Sequence, residues 1–392
     1  MDVTGLRIAL FTGNYNYVRD GANQALNRLV EYLLRKGAAV RIYSPTVENP
    51  ALPPNGDIVH IPAMPIPGRS EYRFPLMLTL GAKHDIRSFR PNVFHVASPD
   101  FVGNRAVTLA HRLELPVVAS VHTRFETYPR YYGLAFLEPV MLAYLRRFYR
   151  RCDAIFAPSE SMAQLFREQR MNYHVGIWTR GIDRETFNPS QRDMEWRRGF
   201  GIEDDMPVIG FVGRLVMEKG LDVFSDSIDR LARRQVRHKV LVIGEGPARE
   251  WFEKRLPDAC FAGFQAGSDL GRAVASMDIL FNPSVTETFG NVTLEAMAAG
   301  LPVVAARATG SESLVEDEVT GRLIRPGACD RFADALAHYC KDAEARRAAG
   351  RAGSEASRRY GWDEVNQELV DSYLRIIRQH RAGGRQRSSP VP

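Results

Sequence analysis

Glu287 and Glu295 stand eight residues apart in the run Val285–Glu295, V-T-E-T-F-G-N-V-T-L-E. Gly290 predicts a turn, and Asn291–Ala299 a helix that carries Glu295, with Glu287 on the loop before it. A carboxylate accepts hydrogen bonds from two vicinal hydroxyls, so such a pair suits a ribose or hexose diol. The same spacing also fits a capping carboxylate and an exposed helix glutamate. Arg214 and Lys219 lie in G-R-L-V-M-E-K-G, residues 213–220, after an apolar run and before a helical one. Two cations beside a helix N-terminus suit a diphosphate. Alone, an R-x4-K pair equally describes surface cations at a helix start. In the first half, S-V-H-T-R-F-E-T-Y, residues 120–128, ends another apolar run and carries His122. Tyr15, Asn16, Tyr17 and Arg19 follow the first such run, on a loop that could meet a ligand or plain solvent.

These residues need a scaffold, and the hydrophobic pattern supplies one. Arg7–Thr12, Ala39–Tyr43, Asp57–Ile61, Asn92–Val96, Val117–Val121 and Ala154–Ala157 read as buried strands. Helical segments lie between most of them. The first has Ala22, Ala25, Leu26, Leu29 and Leu33 on one face and Gly37 past its end. The pattern breaks around Asn188-Pro189, and a charged stretch runs to Asp205. A second series follows at Pro207–Val212, Val240–Ile243, Cys260–Ala262, Ile279–Asn282 and Pro302–Ala305. Strand and helix in alternation predict parallel sheets covered on both faces. The expected organisation is two doubly wound α/β domains, 1–190 and 191–360, facing a central cleft. A C-terminal helix over 361–380 is expected to pack back on the first domain, ahead of a disordered tail, 381–392, rich in Gly, Arg, Ser and Pro.

The chain of 392 residues is 45% hydrophobic and 25% charged, which excludes a disordered or collagen-like protein. No apolar stretch is long enough to span a membrane and no signal peptide is expected, so the cytoplasm is the predicted address. Cys152, Cys260, Cys329 and Cys340 form no C-x-x-C pair, which argues against a zinc site or a disulfide framework. Residues 1–190 carry a net charge of +7 and residues 191–392 a net of −1. A basic half fits an anionic partner, and equally a solvated surface of arginine-rich composition. His60, His84, His95, His111 and His174 are assigned no role.

The motifs, taken in order, resemble glycosyltransferase family 4, the retaining transferases of the two-domain GT-B fold. Glu287 and Glu295 are similar to its E-x7-E signature, and Gly213–Gly220 to its G-R-x-x-x-x-K-G. Val242–Pro247 looks like its V-I-G-x-G-P, 263–284 like its nucleotide-edge stretch, and Thr320-Gly321 follows the expected helix. Arg180-Gly181-Ile182-Asp183 with Phe187-Asn188-Pro189 resembles its R-G-[VI]-D…F-x-P, and His122 its donor-sugar histidine. The resemblance covers Arg7 to about Tyr373. It is strongest to the branch with GDP-mannose-dependent α-mannosyltransferases and sulfoquinovosyl-diacylglycerol synthases.

The resemblance implies a retaining, metal-independent hexosyltransferase. Its catalytic residues would be His122, Glu287, Arg214 and Lys219. Glu287 would hold the hexose and Glu295 the ribose. Arg214, Lys219 and the N–H groups around Phe289, Gly290 and Asn291 would hold the diphosphate, with Gly213 and Gly21 also at the donor. Tyr15, Asn16, Tyr17, Arg19, Arg124, Glu126 and Tyr128 would lie on the acceptor side. The leading donor is GDP-mannose and the leading acceptor a membrane glycolipid or lipid-linked sugar. The alternatives are a UDP-sugar donor, a GT-B phosphorylase, a sugar-nucleotide epimerase, and a non-catalytic nucleotide-sugar-binding protein. No Asp-x-Asp motif occurs, so no catalytic metal is expected; no cofactor beyond the nucleotide-sugar co-substrate and no nucleic acid is implied. Two positions depart from the family pattern: Ser313 replaces a frequent glutamate, and Gly21 stands alone where many members have two glycines. Finally, Val140–Arg151, V-M-L-A-Y-L-R-R-F-Y-R-R, sets Arg146, Arg147, Arg150 and Arg151 beside Met141, Leu142, Leu145, Phe148 and Tyr149. That pattern fits peripheral binding to the anionic inner face of a membrane, and equally a core-facing helix with a solvated basic face.

Overall fold

The computed structural model describes residues 2–18, 20–51, 53–66, 69–127 and 134–387. The chain divides into two compact units. One comprises the residues up to Arg180 together with the chain from Trp362 onward, and the other is Gly181–Gly361. The transition falls at Gly181, ahead of the expected boundary at 190.

The first unit contains β1 (Arg7–Phe11), β2 (Ala39–Ser44), β3 (Asp57–His60), β4 (Ala63–Ile66), β5 (Arg69–Pro75), β6 (Val93–Val96), β7 (Val117–Ser120), β8 (Ala154–Ala157) and β9 (Val175–Ile177). Seven of these form a parallel sheet in the order β3-β2-β1-β6-β7-β8-β9, and β4 and β5 pair as an antiparallel ribbon. Strands β6, β7 and β8 are buried throughout, which explains their largely apolar sequences, with His95 and Ser120 the polar exceptions. Side chains alternate along β1: Ile8 and Leu10 enter one core, Ala9 and Phe11 the other. The first of these cores also holds the terminal helix, Trp362–Arg387. Its Val365, Leu369, Val370, Tyr373 and Ile377 pack with Leu26, Leu29, Val30 and Leu33 of the helix Gly21–Arg35. Each fully buried aliphatic chain there contributes about 1.5–3 kcal/mol. The helix continues past the expected end at His380 to Arg387, so 381–387 is helical, and 388–392 lies outside the described residues.

The second unit contains β10 (Val208–Val212), β11 (Lys239–Ile243), β12 (Cys260–Gly263), β13 (Ile279–Asn282), β14 (Val303–Ala306) and β15 (Gly321–Ile324). They form a parallel sheet in the order β12-β11-β10-β13-β14-β15. In both sheets the chain winds outward from one strand and then resumes on its other side. The strand order therefore reverses between β1 and β6, and between β10 and β13. Loops leaving the carboxyl ends of such a pair diverge and open a crevice. The loops after β10 and β13 are the ones that carry Arg214, Lys219 and Glu287.

Candidate active site

In the second unit, β10 ends at Val212 and the chain turns through Gly213, whose carbonyl oxygen would lie 1.9 Å from a Cβ at position 244. Gly244 after β11 is thus required by backbone contact, and it lets the V-I-G-E-G-P turn close on the Arg214 loop. Arg214 is exposed on that loop. The short 3-10 turn Met217–Lys219 follows, ending at Gly220 in left-handed conformation (φ +75°). Lys219 is carried there to form an ion pair with Glu287, both half-buried. The Glu287 loop is held from behind. Its carbonyl accepts from Thr309 Oγ1 at 2.7 Å and from Gly310 N at 3.0 Å, both at the start of the helix Thr309–Leu314. Thr286 Oγ1 donates to Glu218 O at 3.4 Å, tying the two loops together.

The helix Asn291–Ala298 begins at Gly290 (φ +99°), with no side chain capping its first turn. Only glycine adopts that φ at little cost, and as N-cap it brings no side chain of its own to the first-turn N–H groups. Glu295 projects from the second turn, half-buried, and its carboxyl is pushed up to about 7 by burial and, second, by the Glu287 charge. Phe289 is buried against Tyr360, with ring centroids 5.9 Å apart, so its side chain belongs to the core and only its backbone faces the loop. Ser313 bonds back to Thr309 O at 3.5 Å. Ser311, two residues earlier, is 1% exposed, and its hydroxyl has no hydrogen-bond partner among the described residues.

In the first unit, His122 follows β7 directly. Its Nδ1 lies 2.8 Å from Arg180 Nη2, and its Nε2 lies 2.8 Å from Ser120 Oγ. A guanidinium only donates, so Nδ1 accepts and the ring proton sits on Nε2, directed at Ser120. Ser120 Oγ lies 2.8 Å from His95 Nε2, and His95 Nδ1 lies 2.7 Å from the Tyr373 hydroxyl. His95 and Tyr373 are fully buried and Ser120 nearly so. Burial holds the His95 imidazole down to about 3. Burial, then Arg180, then His95 hold His122 well below the usual range. Arg180 is itself lowered to about 10 by burial, against the opposing pull of the Asp20 carboxylate. Asp20 caps the helix that starts at Gly21, accepting from Asn23 N at 2.8 Å.

The expected acceptor-side residues separate. Tyr15 is fully buried in the core of the first unit, with its hydroxyl donating to Asn55 O at 2.7 Å. Asn16 is buried, and the hydroxyl of buried Tyr17 donates to Gly13 O. Arg124 Nε pairs with buried Glu126 at 2.8 Å. Arg19 and Tyr128 lie outside the described residues. Asn14 was not anticipated. Both its amide atoms are buried with no hydrogen-bond partner among the described residues, while its backbone is fixed by Thr12. A residue next to expected ones on a strand-end loop was the only sequence signal for it. Nor was His95 anticipated.

The basic helix also divides. It spans Glu138–Tyr149, with Leu145, Phe148 and Tyr149 buried. Arg146 donates to Gln169 O at 3.0 Å, Arg150 to Arg170 O at 3.1 Å, and Arg151 to Asn104 and Thr108. Three of its four arginines therefore bind their own unit, and the predicted stripe is largely core. What remains outward combines exposed Arg147 and Arg150 with an apolar set, Leu134, Phe136, Leu137, Val140 and Tyr144, of which Phe136 is 73% exposed. Among the described residues no helix is long and apolar enough to cross a membrane.

Family models match both units. The one described as Glycosyltransferase Family 4 covers residues 19–186, and Glycosyl transferases group 1 covers 206–342. The chain is 31% identical over 366 residues to sulfoquinovosyl transferase SQD2 of Arabidopsis thaliana, covering 91% of this chain and 71% of that one. It is 30% identical over 379 residues to a GDP-mannose-dependent alpha-mannosyltransferase of Mycobacterium tuberculosis, covering 94% and 96%. Among solved structures, Anabaena HepE in complex with UDP shares the fold, with a TM-score of 0.72 at 19% identity over 94% of this chain and 100% of that one.

Proposed function

The chain belongs to glycosyltransferase family 4, and from that premise we propose that it moves a hexose, with retention and without a metal, from a nucleoside diphosphate sugar to a lipid-borne acceptor. The observation that carries this reading is the Lys219–Glu287 pair at the point where strand order reverses, with Glu295 on the adjoining helix. Lys219 and Arg214 supply the charge that a leaving diphosphate requires, the part a metal ion plays elsewhere. The uncapped N–H groups after Gly290 add to it. Glu287 then accepts from hexose hydroxyls and Glu295 from the ribose. The bond from the anomeric carbon to the diphosphate breaks, the acceptor oxygen bonds on the same face, and its proton leaves with the diphosphate.

GDP-mannose is the leading donor, supported by the mannosyltransferase relative that matches nearly end to end. A UDP-sugar is the second reading, supported by the fold shared with a UDP-bound structure. A glycolipid acceptor is supported by the apolar surface Leu134–Val140, which would rest on a membrane from the cytoplasmic side. The test is nucleoside diphosphate release from GDP-mannose, UDP-glucose, UDP-galactose and UDP-glucuronate, each with and without lipid extract. Release from one donor that rises with lipid is expected. Glu287→Ala should lower that turnover by about 100-fold or more, as loss of a transition-state contact does, while the fold persists. Turnover near wild type in that variant would overturn the assignment. Donor turnover that ignores every acceptor would favour an epimerase.

A further inference from the structure

We propose that Arg180, Ser120, His95 and Tyr373 are positioning residues that hold His122 in a single orientation and a single tautomer, its ring proton turned inward to Ser120. The inference rests on the reading that His122 serves the transfer by contacting the sugar and not as a general base, and goes beyond it by stating which residues fix the ring's tautomer and orientation. The four side chains run as a continuous hydrogen-bonded line from the core of the first unit to the end of β7, with steps of 2.7–2.8 Å. They come from β6, β7, the segment after β9 and the terminal helix, four places far apart in sequence.

Such a line is costly unless every member is satisfied, because it lies among apolar side chains. Trp178 closes it from the side. Its ring meets His95 edge-on at 5.9 Å and His122 at 5.7 Å, and the Arg180 guanidinium lies over it at 5.1 Å. Arg180 is anchored by donating to Trp178 O at 3.0 Å and Thr179 O at 3.1 Å. A proton on Nδ1 of His122 would therefore point at a fixed cation. Arg180 and His95 both act on the ring charge, and Asp20 acts on Arg180. His122 is thus barred from general acid or base work, because one ring nitrogen faces a donor and the other already gives its proton to Ser120. A neutral ring there also avoids opposing the positive charge that builds at an anomeric carbon as its leaving group departs. Tyr373 gives the terminal helix a part in this: it supports His95, which supports Ser120.

The experiment is long-range proton–nitrogen NMR on the full chain labelled with ¹⁵N-histidine, with His122→Asn to assign the signal. Wild type should show His122 protonated on Nε2 and unchanged from about pH 5 to about pH 8. Ser120→Ala and Tyr373→Phe remove single hydroxyls and should leave the fold intact. Each should broaden or shift the His122 signal and lower kcat, about 10-fold for Ser120→Ala and less for Tyr373→Phe, with GDP or UDP affinity unchanged. Arg180→Met should move the His122 titration upward, still held below the ordinary range by burial, and free Nδ1 to take a proton; Arg180→Lys, which still donates, should restore part of the rate. An Nδ1-protonated or titrating His122 in wild type overturns the proposal. So do variants that release the ring with kcat unchanged. A His122→Ala variant with wild-type turnover would instead defeat the reading that His122 serves the transfer, while the wild-type tautomer is measured independently of it.

Discussion

Glu295→Gln should make the protein more stable and a poorer binder of its donor, with both effects tied to one ionisation. The carboxyl titrates near 7 in the folded chain against 4.5 for an ordinary glutamate, because burial and then Glu287 oppose its charge. Folded protein therefore holds this proton where unfolded chain has lost it, and stability falls as pH rises from about 4.5 to about 7. Linkage over those two values gives a penalty of roughly 1 kcal/mol at pH 5.5 and roughly 3 kcal/mol at pH 8. A neutral glutamine carries no such penalty. The stability difference, variant minus wild type, should then grow by about 2 kcal/mol between those pH values. Denaturant titration of the donor-free protein at both pH values measures it. Binding moves the other way. A diol donates to a carboxylate more strongly than to an amide, so Glu295→Gln should weaken donor binding about 10-fold at pH 8, by calorimetry. Wild-type donor affinity should fall as pH drops below about 7, and the variant's should not. Parallel stability profiles for the two proteins, or a wild-type affinity flat across pH 7, would refute the placement of a strained carboxylate at the ribose.

Two further outcomes follow from the same geometry. Lys219→Met removes the cation and leaves Glu287 without its ion-pair partner. It should lower kcat/KM by about 100-fold and weaken nucleoside diphosphate binding, read by steady-state kinetics and calorimetry; intact diphosphate binding would remove Lys219 from the site. Asn14→Ala deletes two buried amide atoms that have no protein partner among the described residues. It should leave denaturation within about 0.5 kcal/mol of wild type, since no protein hydrogen bond is lost, yet raise the KM for acceptor with donor KM unchanged. A fall of several kcal/mol in stability would show Asn14 to be structural.

Most of the frame was legible in the residues because most of its strands are short, buried on both faces and therefore largely apolar, as in Val303–Ala306. What escaped lacks that signature. The ribbon β4–β5 contains Pro65 and Pro75, which argue against a strand. Strand β9 is three residues with a central glycine, and a Cβ on Gly176 would lie 2.8 Å from the Phe156 ring. The donor motifs were legible because each is a run of adjacent residues at one strand end. The His122 line was not, because Tyr373 and His95 are joined only through three-dimensional packing. A polar tip in an apolar strand, V-F-H-V, and a tyrosine on the apolar face of the last helix were its only traces, and buried polar groups of that kind require partners. The arginines of 146–151 left two readings open for a related reason: a basic stripe looks the same whether it meets solvent, lipid or the carbonyls of its own loops.

The Lys219–Glu287 pair also bears on which ligands the second unit rewards. Without donor, each charge is balanced by the other across the reversal of strand order. In the proposed transfer, a diphosphate would draw Lys219 toward itself and leave Glu287 half-buried with its charge less compensated. A sugar hydroxyl on the same ligand would restore an interaction to that carboxylate, whereas a bare nucleoside diphosphate would not. The pair would then couple recognition of the two ends of the leaving bond, through differential contact and not through shape alone. After transfer, the product left behind would satisfy only the lysine. Re-formation of the ion pair would then compete with the diphosphate for Lys219, so the contact that favours an intact donor would also favour release of the spent one.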